Sequence, residues 1–292
     1  MSAVALETGE VHFGGLRLHH TFGGAGGTPL VLVHGLGSSG YLEWRRNLPF
    51  FAARGQVFAP DLPGFGRSQK GELPYGLGLF VQVLDAYVEA LGLGRIDLVG
   101  TSLGGRIAME LALSRPGLVA RLGLVNALGI GSPPFRPYYP LVALPRVGEA
   151  MLRSLRGLLR TRSVEEVRRF YERAPGSSPS TAEAIDEAYV TALREVHDEV
   201  GYHAAYLATV RSLARPAASR AFDQTARLAA SGLPLLLVWG ALDTLFPLPL
   251  ARAAAANIPG AQLAVIENAG HTPQAERPDE FNRAVTEFLD AG

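Results

Sequence analysis

Ile96-Asp97-Leu98-Val99-Gly100-Thr101-Ser102-Leu103-Gly104-Gly105 is the stretch on which the fold turns, and a helix-compatible run, Arg106 to Leu113, follows it. A short strand-like segment thus runs through a glycine-flanked serine straight into a helix. Gly100 and Gly104 stand two positions before and two after Ser102. That spacing has a steric reason. A serine at the tip of a very tight strand-to-helix turn sits in strained backbone geometry, and side chains two residues away would collide with the flanking strand and helix. Ser102 is thereby pushed towards solvent or substrate, which makes it a candidate nucleophile.

Outward from this turn, strand-like apolar runs recur at 30–33 (LVLV), 56–59, 122–125, 235–239 and 263–266. Runs of this kind are the pattern of strands covered on both faces. Between them the periodicity predicts helices at 41–53, 77–91, 103–114, 248–257 and 278–289. Residues 11–20 alternate around Gly14-Gly15 and predict a β-hairpin. Strand and helix alternate throughout, which predicts an α/β fold, a mostly parallel central sheet flanked by helices and joined by right-handed crossovers.

One segment breaks the rhythm. Between residues 129 and 221 no buried strand is readable; a Pro-rich start (SPPFRPYYP) leads into Arg-, Glu- and Ala-rich helical periods. The predicted organisation is a core of residues 1–128 and 222–292 with a helical cap inserted at 129–221. Residues 136–173 carry nine arginines against four glutamates, and 174–200 carry six acids against one arginine. The two halves are expected to pair as helix faces, not to form a steering lid. Phe135, Tyr138 and Tyr139, at the start of the cap, are expected to pack.

Composition narrows the chemistry. Lys+Arg 27 balances Asp+Glu 27, so no global field draws nucleic acid or an anionic membrane. With Cys 0, thiolate catalysis, disulfide frameworks and iron-sulfur clusters are excluded. His197 and His203 are six apart, not the i, i+4 pair of a zinc helix, so no metal is expected. No run of about 20 apolar residues predicts membrane insertion. The start MSAVALETGEV lacks the basic and apolar pattern of a signal peptide, so a cytoplasmic location is expected.

A serine hydroxyl needs a base within hydrogen-bond reach, usually an imidazole oriented by a carboxylate. Of seven histidines, His12, His19 and His20 fall on the hairpin and His197 and His203 in the cap. His34 stands in the loop after LVLV, where bracing is its expected task. His271 follows Gly270 after the last predicted strand, at the sheet edge where α/β proteins place ligands. Asp243, in Trp239-Gly240-Ala241-Leu242-Asp243, follows the preceding strand and is the candidate carboxylate. The other strand end suited to an acid reads Val125-Asn126, and asparagine carries no charge. Backbone N–H groups of Leu103, next to the serine, and Leu36, in the loop after LVLV, are the candidate oxyanion donors.

HGLG (34–37), DLPGFGRS (61–68), GTSLGG (100–105), WGALD (239–243) and GHTPQAERP (270–278) stand in this order. In these motifs the chain resembles the α/β-hydrolase superfamily of serine hydrolases over about residues 1–128 and 222–292. The chain order Ser102, Asp243, His271 is that family's order. Relatives with a carboxylate nucleophile are disfavoured by Ser102. The resemblance implies hydrolysis of a small-molecule carboxylic ester through an acyl-enzyme, with no cofactor. Other acyl transfers, or cleavage of a carbon–carbon bond in a diketone, would use the same machinery.

Two rivals come from other classes. Gly35-Leu36-Gly37-Ser38-Ser39-Gly40 is literally G-x-G-x-x-G, with Asp61 downstream, as in a dinucleotide-binding fold. The hydrolase fold could also serve as a ligand-binding signalling protein, since fold does not dictate function.

Overall fold

A computed structural model describes residues 5–132, 138–174, 176–214 and 223–291. Eight strands form one sheet: β1 (Glu7–Phe13), β2 (Leu16–Gly23), β3 (Leu30–Val33), β4 (Val57–Pro60), β5 (Ile96–Thr101), β6 (Val119–Val125), β7 (Leu235–Gly240) and β8 (Gln262–Ile266). Their order is β1-β2-β4-β3-β5-β6-β7-β8. β1 and β2 pair antiparallel, β2 joins β4 antiparallel, and every later pairing is parallel. Each residue of β3, β5 and β7 is buried, as expected for strands covered on both faces. β8 is covered less completely, because it closes the sheet edge and has a neighbour on one side only.

The helix predicted at 41–53 is two short helices, α1 (Gly40–Trp44) and α2 (Leu48–Ala52). Pro49 opens the second, and Asn47 between them is buried with its Nδ2 donating to Gln274 O at 3.0 Å and Asn282 Oδ1 at 2.9 Å. A side chain committed to the C-terminal region breaks what the local periodicity joins. The remaining core helices before the break are α3 (Leu77–Ala90) and α4 (Ser102–Ser114).

Between β6 and β7 the described residues form helices and no strand: α5 (Tyr138–Ala143), α6 (Val147–Thr161), α7 (Val164–Tyr171), α8 (Thr181–Ala184), α9 (Glu187–Asp198), α10 (Tyr202–Leu213) and α11 (Thr225–Ser231). Arg156 on α6 meets Asp198 on α9 at 2.7 Å, the helix-to-helix pairing that the charge split suggests. The acidic half also faces the core: Asp186 meets Arg45 at 3.0 Å, Glu183 meets Arg277 at 3.3 Å and Glu199 meets Lys70 at 3.6 Å. Phe135, the side chains of Tyr138 and Tyr139, and the predicted boundary at 221 lie outside the described residues. α12 (Leu248–Asn257), α13 (Pro273–Glu276) and α14 (Pro278–Asp290) complete the chain. Among the described residues no helix is long and apolar enough to cross a membrane.

Candidate active site

Ser102 stands at the junction of β5 and α4 with φ 50°, a conformation that L-residues avoid unless the surroundings impose it. The flanking glycines show what imposes it. A Cβ on Gly100 would lie 2.4 Å from Gly104 O, and one on Gly104 would lie 2.4 Å from both Val33 O and His34 O. The turn is thus wedged between β3 and its own helix. Because α4 starts at Ser102, the Leu103 N–H is among the first helix donors, which have no partner within the helix.

The loops after β7 and β8 bring Asp243 and His271 together. His271 Nδ1 lies 2.8 Å from Asp243 Oδ2, and the Asp243 side chain is fully buried. Asp243 Oδ1 accepts from Leu245 N at 2.7 Å and Phe246 N at 3.1 Å, so the carboxylate cannot rotate. Phe246 O in turn accepts from Trp239 Nε1 at 2.7 Å, which ties this loop to a tryptophan buried at the end of β7. Burial disfavours a charged imidazole, but the charge and hydrogen bond of Asp243 outweigh it, with Glu43 and Glu276 adding to them. The His271 pKa is therefore raised above its ordinary 6.5.

His34 is fully buried and braces the other side of the site. Its Nε2 lies 2.9 Å from the Leu62 N–H and can only accept there, so Nδ1 carries the proton and donates to Gly35 O at 2.7 Å. That carbonyl shares a peptide plane with the Leu36 N–H, so His34 sets the direction in which Leu36 points its donor. Burial lowers the His34 pKa, in keeping with a neutral ring.

Two functional candidates escape the sequence reading. Asn126, dismissed there as an uncharged acid position, has φ 41° and is fully buried at the end of β6. Its Nδ2 donates to Asp243 Oδ2 and, at 3.2 Å, to Gly270 O, while its Oδ1 accepts from Gly240 N at 3.0 Å. The available signal was its place after a strand beside that of Asp243. Glu276 is also buried; its Oε2 accepts from Gly270 N at 2.9 Å and its Oε1 from Thr272 N at 3.1 Å, so one carboxylate grips both neighbours of His271.

Ser102, His271 and Leu36 line one cavity of about 780 Å³. Helices from the β6–β7 stretch supply most of its apolar wall, including Leu152, Leu155, Leu158, Tyr189 and Leu193. Arg162, Arg169 and Arg173 also face it. Beside His271 a smaller lobe of about 190 Å³ shares Glu43, Tyr189 and Thr272 with the main cavity. Glu43 Oε1 accepts from Gln274 Nε2 at 2.5 Å, and the carboxylate lines both spaces.

The dinucleotide reading of Gly35 to Gly40 is not supported. Asp61 is buried, with Oδ1 accepting from Gly40 N at 2.7 Å and Oδ2 bonded to Arg67 N at 2.8 Å and His19 Nδ1 at 3.0 Å, which leaves it closing a turn, not facing a ribose. The helix after the glycine loop is five residues long. His197 and His203 do meet, at 3.4 Å, on α9 and α10, and among the described residues no group of three or more ligand side chains could hold a metal.

Known proteins share this chain's sequence pattern and fold. A 2-hydroxy-6-oxononadienedioate/2-hydroxy-6-oxononatrienedioate hydrolase of Burkholderia vietnamiensis is 31% identical over 279 residues, covering 94% of this chain and 91% of that protein. An uncharacterized protein of Mycobacterium tuberculosis is 30% identical over 280 residues, covering 90% of this chain and 76% of that one. In fold, the chain resembles a meta-cleavage product hydrolase of Pseudomonas fluorescens, with TM-score 0.75, 24% identity and 97% of each chain covered. It resembles a thermophilic esterase of Thermogutta terrifontis with TM-score 0.72, 23% identity and 98% of each covered. The sequence model of the alpha/beta hydrolase family matches residues 30–284, from the first buried strand into the last helix, and this chain accordingly belongs to the alpha/beta hydrolase family.

Proposed function

We propose that the chain cleaves a carboxylic ester of a small molecule through an acyl-enzyme on Ser102, beneath a cap formed by residues 129–221. One observation carries this: Ser102 on its strained turn and His271 bound to Asp243 open on the same cavity. Ser102 Oγ attacks the acyl carbon as His271 Nε2 takes its proton, and Asp243 stabilises the resulting imidazolium. The Leu36 and Leu103 N–H groups receive the oxyanion. Collapse expels the alkoxide, which takes the proton from His271, and leaves the acyl group on Ser102. Water then gives a proton to His271 and attacks the acyl carbon; the proton returns to Ser102 as the acid leaves. No step needs a cofactor.

The leucine-lined wall suits an apolar acyl chain. Glu43 beside His271 repels a substrate carboxylate there, which favours uncharged or donor-bearing leaving groups. A second reading rests on the Burkholderia relative. The substrate in its name has no ester, so hydrolysis must break a carbon–carbon bond beside the 6-oxo carbonyl, and the arginines on the cavity wall could hold an anionic substrate.

Mass spectrometry of the intact protein after treatment with a small fluorophosphonate tests the nucleophile. Labelling of the wild type and not of Ser102→Ala is expected; no labelling of either, or equal labelling of both, would overturn the proposal. Turnover of p-nitrophenyl esters against a 2-hydroxy-6-oxo-dienedioate separates the two readings. Activity on neither, with tight binding of a ligand, would favour a binding protein.

A further inference from the structure

We infer that residues 176–180 of the cap form a fixed clasp on the two loops that carry Asp243 and His271, so that the cap positions the imidazole as well as covering the cavity. This rests on the proposed roles of Ser102, Asp243 and His271. The bonds run to both loops. His271 N donates to Gly176 O at 2.7 Å, and Gly176 N donates to Thr244 Oγ1, next to Asp243, at 2.9 Å. Ser180 Oγ donates to Asn268 O at 2.7 Å. Ser178 Oγ donates to Glu276 Oε2, the carboxylate oxygen that also accepts from Gly270 N. One cap residue therefore bridges the backbone of the base and the side chain beside the acid.

Steric contact makes the arrangement unforgiving. Gly240, Gly270 and Gly176 stack backbone on backbone: a Cβ on Gly240 would lie 1.9 Å from Gly270 O, and one on Gly270 would lie 2.2 Å from Gly176 O. Gly176 itself has φ 87°, and a Cβ there would lie 2.9 Å from His271 Cβ and 3.0 Å from Leu245 Cδ1. Neighbouring contacts hold the same edge of the cap down. Arg45 Nη2 donates to Ala184 O at 2.9 Å, and Arg46 Nη1 and Nη2 reach Ala275 O at 3.2 Å and Glu183 O at 3.1 Å. A cap that opens must therefore pivot away from this edge. Without the clasp, the His271 loop keeps the Glu276 grip on its flanks and the Asn126 bond to Gly270 O, but His271 loses the anchor on its own main chain that aligns the imidazole with Asp243.

The test uses Gly176→Ala and Ser178→Ala in the full chain. Three readouts apply: folding by circular dichroism, the rate of fluorophosphonate labelling, and the His271 pKa by ¹⁵N-histidine NMR. The charged groups facing His271 are Asp243 from the acid loop, Glu43 from α1 and Glu276 from α13. Displacing the imidazole from Asp243 weakens the largest of the influences that raise its pKa, so the value should fall in both variants. Labelling should slow by about 10- to 100-fold in Gly176→Ala, the scale of a displacement near 1 Å, and by less in Ser178→Ala. A variant that merely destabilises the fold would lower the melting temperature and leave the NMR pKa of the folded protein unchanged. Should Gly176→Ala fail to fold, Ser178→Ala carries the test alone. Wild-type labelling rate and His271 pKa in a folded variant overturn the clasp. A wild type that is never labelled at Ser102 overturns the proposed function instead, and the catalytic meaning of the clasp with it.

Discussion

Replacing Asn126 by glycine would isolate what the second polar residue beside Asp243 contributes. Glycine accepts φ 41° without strain, so the change removes the side chain and leaves the backbone conformation open to it. Three buried bonds disappear: to the Asp243 carboxylate, to Gly270 O and from Gly240 N. A hydrogen bond to a charged group contributes about 1.5–3 kcal/mol and each neutral one about 1 kcal/mol. The added freedom of the unfolded chain costs up to about 1 kcal/mol more. Water admitted to the vacated space would restore part, so the expected net loss is about 4 kcal/mol. With an unfolding entropy of about 2.1 cal/mol/K per residue, that loss lowers the melting temperature by about 6–7 °C. Urea unfolding with linear extrapolation measures the free energy, and calorimetry the midpoint. A loss below about 1 kcal/mol would show that the three bonds do not act together in holding the β6, β7 and β8 loop ends, and would refute the reasoning.

Asp243→Asn should lower kcat by about 10⁴-fold with the fold intact. The two backbone N–H groups at Leu245 and Phe246 require an oxygen, so the new amide nitrogen must face His271 Nδ1. The ring is then forced into the Nε2–H tautomer, which cannot take the Ser102 proton; retention of activity within about tenfold would contradict this. In the wild type kcat/KM should rise with pH through a midpoint above 6.5, since the base must be neutral and its folded pKa is raised. For stability the same pair acts in the opposite sense: its contribution is full below about 6.5 and is lost as pH rises through the folded value of His271. His197, on the cavity wall, has its pKa lowered to about 4 by burial, with His203 adding to it. Unfolded chains therefore take up its proton first, and stability should fall between about pH 6.5 and pH 4, by about 3 kcal/mol for this one group. A pH series of unfolding free energies should be flatter over that window in His197→Gln, and an unchanged slope would show that the histidine is solvated.

Much of this was legible because it is local. The turn at Ser102 needs glycine at 100 for a reason that acts within a few residues, the carbonyl of Gly104, whereas glycine at 104 answers to Val33 and His34 at the end of β3; apolar runs mark buried strands whatever surrounds them. Asp243 and His271 could be named because each follows a strand at the edge where such sheets gather their side chains. Wherever a partner comes from a distant element, local reasoning fell short. Asn126 and Asp243 are 117 positions apart, and only the pairing of β6 with β7, Val125 beside Val238, makes them neighbours. The break at Asn47 depends on Gln274 and Asn282, and Asp186 and Glu199 face Arg45 and Lys70, each more than 100 positions away in the sequence. Periodicity and turn chemistry thus set the elements and put Ser102 on its turn. Which buried polar groups satisfy one another, and how Gly176 comes to rest against the loops after β7 and β8, follow from sheet order and packing, because a hydrogen bond across the fold leaves no spacing in the chain that would announce it.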